Sequence, residues 1–377
     1  MPRLHTPPLV ALAVWLALTP LDDAASRIVA IGDVHGTGEP FIAILQRAGL
    51  IDAGRRWTGG TTILVQTGDV MDRGPAVRND LDLLMDLERQ ASAAGGRVQA
   101  MLGNHEFMNL LGQTRDAPPD LYQSFADGAS EQKREEAFRA EERVKRTAPL
   151  DKTAWLAAHP PGYLEYREAL RANGTYGKWL RSKPVVTAIE GTVFMHGGIN
   201  PEFTTESLDS INRRARRELA EWDEGVRWLQ QHDLGLPFYT WSEILEVVQA
   251  ELTRLGTKRK REPLSEEDAE EIRALLPLLN IGDSSLLNAD GPLWFRGYSS
   301  WTDAEGAPLM TQLLRKYRVK RFVTGHTPQP AGQITTRFGG ALYLIDTGML
   351  DGKFYPSGRP SALEIIGEKV TPLYLEK

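Results

Sequence analysis

The sequence predicts an α/β fold, and three observations carry that prediction. Six short apolar runs, rich in β-branched residues and bounded by glycine, have the length and content of buried strands. Each run is followed at its carboxyl end by residues with chemistry, which is where open α/β sheets place their ligands. Between the first runs lie segments with apolar residues at helical spacing.

Taken in order, RIVAIGDVHG (27–36) ends in Gly-Asp-x-His, with Asp33 and His35. TTILVQTGDVMDRG (61–74) places Asp69, Asp72 and Arg73 within five positions of one another, after a core strand. Burying unpaired charge is costly, so this strand end requires either solvent or a cation. RVQAMLGNHE (97–106) ends in Asn104, His105 and Glu106; TVFMHGG (192–198) carries His196; RFVTGHTP (321–328) carries His326; ALYLIDTG (341–348) ends in Asp-Thr-Gly. Helices are predicted over EPFIAILQRAGL (39–50) and VRNDLDLLMDLERQASAAG (77–95). The glycines beside the candidate ligands let the backbone turn sharply and leave room for a metal or a phosphate.

Two long stretches read as insertions, at about 112–183 and 203–290. The first holds SEQKREEAFRAEERVKR, whose mixed charges predict a solvated, ion-paired helix face. The second is mostly helical, with RRARRELAEWDEGVRWL, then a basic run at 258–261 read as a solvated loop, then LSEEDAEEIRALLPLL, for which Ser265 can serve as the cap. No composition break divides the remainder, so 26–377 reads as one catalytic domain.

The chain has 377 residues, 41% hydrophobic and 25% charged, enough for a sizeable core. Its net charge of -6 argues against generic nucleic-acid binding. It has no cysteine, so disulfides and thiolate metal sites are excluded and any metal is held by oxygen and imidazole nitrogen. LVALAVWLAL (9–18) is uncharged but too short to span a bilayer comfortably. It suits the apolar core of a secretory signal over residues 1–25, with Ala24, Ala25 and Ser26 where cleavage is expected, in preference to a buried N-terminal helix. Export would place the protein in a bacterial periplasm or outside the cell; without it the location would be cytoplasmic. No stable transmembrane segment is expected.

Of the 7 histidines, His35, His105, His196 and His326 stand at strand ends, while His5, His159 and His232 read as ordinary polar residues. Asp33, His35 and Asp69 can hold one metal ion; Asp69, Asn104, His196 and His326 can hold a second, with Asp69 bridging the two. The oxygen–nitrogen set suits Mn²⁺ best, with Fe or Zn²⁺ as alternatives. Two ions roughly 3.5 Å apart can hold a bridging hydroxide, lower its pKa and bind phosphoryl oxygens. His105 can then protonate the leaving oxygen, Asp72 can orient it, and Arg73 can grip phosphate with its planar fork.

GDVHG, GDVMDRG, GNHE, HGG and GHTP, in this order across residues 32–328, resemble the phosphoprotein phosphatase family of metallophosphoesterases. The resemblance implies an αββα sandwich of the calcineurin-like type with helical insertions, a dinuclear centre with the ligands above, and His105 with Asp72 as the acid pair. It also implies a second phosphate-binding arginine, which falls on Arg296 in GPLWFRGY (291–298). LIDTGML stands where the eukaryotic serine/threonine enzymes have Ser-Ala-Pro-Asn-Tyr, and this ending is similar to that of bacterial-type Shewanella-like phosphatases. The expected function is a phosphomonoesterase acting on phosphorylated protein or peptide, or on a small phosphate ester. Hydrolysis of a dinucleotide polyphosphate uses the same centre; a non-catalytic phosphate-binding scaffold would not need an intact acid.

Overall fold

The computed structural model describes residues 26–145, 149–202, 206–350 and 354–375. The expected signal segment, 1–25, and His5 within it lie outside the described residues. Two five-stranded sheets form the centre. The first contains β1 (Arg27–Ile31), β2 (Ile63–Gln66), β3 (Arg97–Ala100), β9 (Ser361–Ile366) and β10 (Lys369–Tyr374), in the order β10-β9-β1-β2-β3. The second contains β4 (Val186–Ile189), β5 (Thr192–Met195), β6 (Arg321–Thr324), β7 (Thr335–Arg337) and β8 (Leu342–Leu344), in the order β4-β5-β6-β8-β7. β1, β2 and β3 are parallel, as are β5, β6 and β8. All six apolar runs are therefore strands, and their carboxyl ends share a direction within each sheet.

Alternation along β1 shows why its sequence carries no polar face. Ile28 and Ala30 join Val65, Phe194, Val323 and Leu363 in a layer between the sheets. Val29 and Ile31 face the other way and pack with Phe41 and Leu45 of α1 (Glu39–Arg47) and Leu81 of α2 (Val77–Ala93). A strand buried on both faces reads as a continuous apolar run. Helices cover the outer side of this sheet, which gives the expected sandwich.

α3 (Asn104–Leu111) starts directly at the GNHE motif. Between β3 and β4 the chain also forms α4 (Pro119–Gln123), α5 (Ser130–Val144), α6 (Lys152–Ala158), α7 (Tyr163–Leu170) and α8 (Thr175–Arg181). Between β5 and β6 it forms α9 (Leu208–Gln231), α10 (Trp241–Arg259), α11 (Glu266–Leu279), the short α12 (Gly297–Ser300) and α13 (Asp303–Tyr317). Ser265 caps α11 by accepting from the Asp268 amide, as its sequence indicates. The basic run is not a free loop: α10 continues through Arg259, and Lys258 is ion-paired with Asp268 at 2.7 Å. The α5 charges do pair at the surface, but Arg134 and Glu141 turn inward, Glu141 to accept from the Trp155 indole at 2.9 Å. Among the described residues no helix is long and apolar enough to cross a membrane.

The layer between the sheets is buried on both sides, so truncation there leaves a cavity. Phe194→Ala, at a fully buried position, should lower the unfolding free energy by about 3–5 kcal/mol in a urea titration. Leu276→Ala on α11, at 41% exposure, should change it by less than about 1 kcal/mol.

Candidate metallophosphoesterase centre

The carboxyl ends of the two sheets meet, and every site residue expected from the sequence lies around that junction. Asp69, after β2, is the hub. Its Oδ2 lies 3.2 Å from His196 Nε2, 3.7 Å from His35 Nε2 and 3.9 Å from His105 Nε2. Its Oδ1 accepts from the His105 backbone amide at 2.9 Å. His196 Nε2 is also 2.8 Å from Asn104 Oδ1 and 3.1 Å from His326 Nδ1. Asp33 Oδ2 stands 3.9 Å from His35 Nε2, and its Oδ1 accepts from the His326 amide at 3.0 Å. Gly103 and Gly325 are required by this closeness: a Cβ on either would strike Asp69 Oδ1 or Asp33 Oδ1 respectively.

The backbone is contorted to aim these groups. His35, Asp69, Asp72, Arg73 and His326 all have positive φ, between 51° and 69°. Non-glycine residues there cost on the order of 1 kcal/mol each and cluster at functional sites. The 69–73 turn is held by Glu106 of α3, whose Oε2 accepts from the Asp69 and Gly103 amides and Oε1 from those of Val70 and Met71, at 2.7–3.0 Å.

Hydrogen bonding separates the four histidines into two kinds. His35 Nδ1 donates to Met71 O (2.9 Å), His196 Nδ1 to Thr67 O (3.0 Å) and His326 Nε2 to Trp294 O (3.1 Å). A carbonyl can only accept, so each ring keeps its proton on that nitrogen and turns the lone pair of the other toward the carboxylates. That is the arrangement of metal-ligating imidazole. Burial, the largest influence, pushes the His35 pKa well down and that of His326 to about 2, aided by His196 and Arg296, so both rings are neutral as ligation requires. His105 differs: its Nδ1 is 2.6 Å from Asp72 Oδ2, a carboxylate. Burial pulls its pKa down, but Asp69 and the bond to Asp72 outweigh this and raise it. The ligand atoms of His35, Asp69 and His105 are close enough to share an ion, yet the pairing to Asp72 suits His105 to carrying a proton.

The residues present fit two divalent cations. The set is oxygen and imidazole nitrogen throughout, and Asp33 shows the charge that has to be offset. Burial, then the charges of Asp346 and Asp69, push its carboxyl well above the ordinary range. Asp346, after β8, is raised to about 6 by burial, and its Oδ2 has no hydrogen-bond partner. Asp33, His35 and Asp69 would hold one ion, and Asp69, Asn104, His196 and His326 the other.

Two arginines flank the centre. Arg73 Nη1 lies 2.7 Å from His35 Nε2 and its Nη2 3.1 Å from His105 Nε2, so the guanidinium stands between these two rings. Arg296 donates Nη1 to His326 O and Thr327 Oγ1, both at 3.0 Å, beside the other half of the centre. Three residues outside the expected set also matter. Glu106 and Asp346 stood inside quoted motifs, but their backbone and carboxyl partners are distant in sequence. Tyr355, whose hydroxyl accepts from Arg73 Nη1, lies in a segment without a motif. His159 and His232 stack on Trp155 and Trp228, at ring-centroid distances of 4.0 and 3.9 Å, consistent with their ordinary reading.

Asp69→Asn removes the shared ligand and should abolish both divalent-metal retention, measured by metal analysis, and nearly all phosphate-ester hydrolysis. His105→Asn should keep the metal and lower kcat by about 10²-fold or more on esters with poor leaving groups, with a smaller loss on good ones.

Residues 26–330 match the family model for calcineurin-like phosphoesterases. The chain is 25% identical over 355 residues to Shewanella-like protein phosphatase 1 of Plasmodium berghei, covering 93% of this chain and 74% of that one. It is 36% identical over 198 residues to Shewanella-like protein phosphatase 2 of Arabidopsis thaliana, covering 50% and 51%. The fold is shared with a cold-active protein-tyrosine phosphatase of a psychrophilic Shewanella species, at a TM-score of 0.58 and 24% identity, covering 93% of this chain and 81% of the other. On the matched length and on this fold, the chain belongs to the calcineurin-like phosphoesterase family.

Proposed function

We propose that this phosphoesterase is a protein phosphatase that uses two Mn²⁺ ions and hydrolyses phosphotyrosine or phosphoserine/threonine esters. One observation carries the reading. Three histidines donate to backbone carbonyls and one to a buried carboxylate, which supports a reading of three ligands and one acid. The family relatives named as protein phosphatases support the substrate class.

When bound, the ions supply an activated water and positive charge for the phosphoryl group. Arg73 and Arg296 bind phosphoryl oxygens and stabilise charge as the bond to the leaving oxygen breaks. His105, held by Asp72, gives its proton to the departing alkoxide or phenoxide, so that neither leaves as an anion. A non-catalytic scaffold has no use for this acid pair.

The first test is phosphate release from matched peptides bearing phosphotyrosine or phosphothreonine, with Mn²⁺ added and an EDTA control. Release from at least one peptide, abolished by EDTA and restored by Mn²⁺, is the expected result. No release from either peptide with metal bound would move the substrate to a dinucleotide polyphosphate or another small phosphate ester. Residues 1–25 are proposed to direct export; fractionation of cells expressing the chain with and without them should place only the longer form outside the cytoplasm.

A further inference from the structure

The acid pair does not end at Asp72. Asp72 Oδ2 accepts from His105 Nδ1 and also from Asn109 Nδ2 at 2.8 Å. Asn109 Oδ1 in turn accepts from the Tyr166 hydroxyl at 2.6 Å. Asn109 lies on α3, one helical turn beyond His105, and its Nδ2 donates to His105 O at 2.9 Å as well. Tyr166 comes from α7, in the long helical segment between β3 and β4. The neighbouring Arg167 donates Nη1 to Asn109 O at 2.9 Å and Nη2 to Tyr239 O at 3.3 Å. Asp72, Asn109 and Tyr166 are fully buried, so no solvent competes for these bonds.

The direction of the chain of bonds matters. A carboxamide can present either its carbonyl or its amino group to a neighbour. Facing the carbonyl of Asn109 to Asp72 would oppose two acceptors in a buried site, which costs about 1–3 kcal/mol. The His105 carbonyl, a second acceptor 2.9 Å from Asn109 Nδ2, adds to the cost of that orientation, and the other is completed by donation to Oδ1 from Tyr166. Burial pushes its pKa well above the ordinary range, so its hydroxyl stays protonated and donates. Its ring is fixed edge-on against Tyr122 and Phe125, with centroids 5.4 and 5.0 Å away. Asn109 must therefore give its carbonyl to Tyr166 and its amino group to Asp72. Asp72 needs this second donor because its Oδ1 has no hydrogen-bond partner, so its orientation rests on Oδ2 alone.

We infer that Tyr166 and Asn109 are positioning residues for the leaving-group acid, and that the helical segment carrying Tyr166 thereby sets proton delivery. The inference rests on His105 being that acid. It gives Tyr166 a definite signature: loss of its hydroxyl should affect proton transfer to the leaving group and leave metal binding and phosphate binding alone.

The test compares Tyr166→Phe, Asn109→Ser, His105→Asn and the Tyr166→Phe/His105→Asn double variant on phenyl phosphate and on p-nitrophenyl phosphate, with Mn²⁺ content measured for each. Tyr166→Phe should lower kcat on phenyl phosphate by about tenfold, a fraction of what general acid catalysis supplies. KM should stay within about twofold, and so should kcat on p-nitrophenyl phosphate, whose leaving group needs little protonation. Asn109→Ser should show the same pattern, which covers the case in which one variant folds poorly. The double variant should be no slower than His105→Asn, because groups acting through one another are not additive. Equal losses on both substrates, or additive losses in the double variant, overturn the positioning role while leaving His105 as the acid. If His105→Asn itself shows no dependence on leaving group, the acid assignment and the positioning role fall together.

Discussion

Buried negative charge is the constraint on which the structure turns. Asp33, Asp69, Asp72, Glu106 and Asp346 are each exposed by 3% or less, around one junction of two sheets. A buried carboxylate without compensation costs several kcal/mol. These groups are answered in several ways. Glu106 takes four backbone amides, Asp72 an imidazole and a carboxamide, and Asp346 the Gly348 amide, while Asp33 and Asp69 each take one amide and would hold metal with the rest. The left-handed backbone at five neighbouring residues is tolerated because the glutamate pins the turn on which three of them lie.

The three histidines proposed as ligands and the one proposed as acid have the same side chain at equivalent places in the topology. What separates them is the acceptor behind each ring. A carbonyl fixes a tautomer without adding charge, whereas a carboxylate also stabilises the imidazolium. Dications beside Asp69 would cancel much of that carboxylate's pull on His105. Asp72 then becomes the group that keeps the acid charged, which is why a network devoted to Asp72 has value.

Much of this was legible in the sequence because strand, turn and ligand are contiguous there. GDVHG, GDVMDRG, GNHE, HGG and GHTP each join a buried strand to its own ligand, so local reading finds both. Asp346 and Glu106 sat inside such runs, yet their roles depend on partners elsewhere in the chain. Glu106 bonds an amide 37 positions earlier. β4, β7, β9 and β10 went unread because they carry no ligand motif at their ends; β7, β9 and β10 each also hold a charged residue. Asn109 and Tyr166 were invisible for a related reason. A buried asparagine and tyrosine look like any core polar residues until the fold brings them 2.6 Å apart. The resemblance supplied Arg296, whose partners lie 30 positions away.

The position of β1 has a consequence for how the molecule is assembled. β1 is the central strand of its sheet, paired with β2 on one side and with β9 on the other. Its Arg27 bonds Glu364 across a separation of 337 residues, and Asp33 accepts from an amide 293 positions later. Contacts of this range are slow to form, since the loop must close before they stabilise anything. During synthesis one edge of β1 stays open until β9 has been made, with Glu364 337 residues beyond Arg27, and open strand edges invite association with other chains. The sheet around the centre is thus closed long after its first strand is made, and strands far along the chain are those that shield β1.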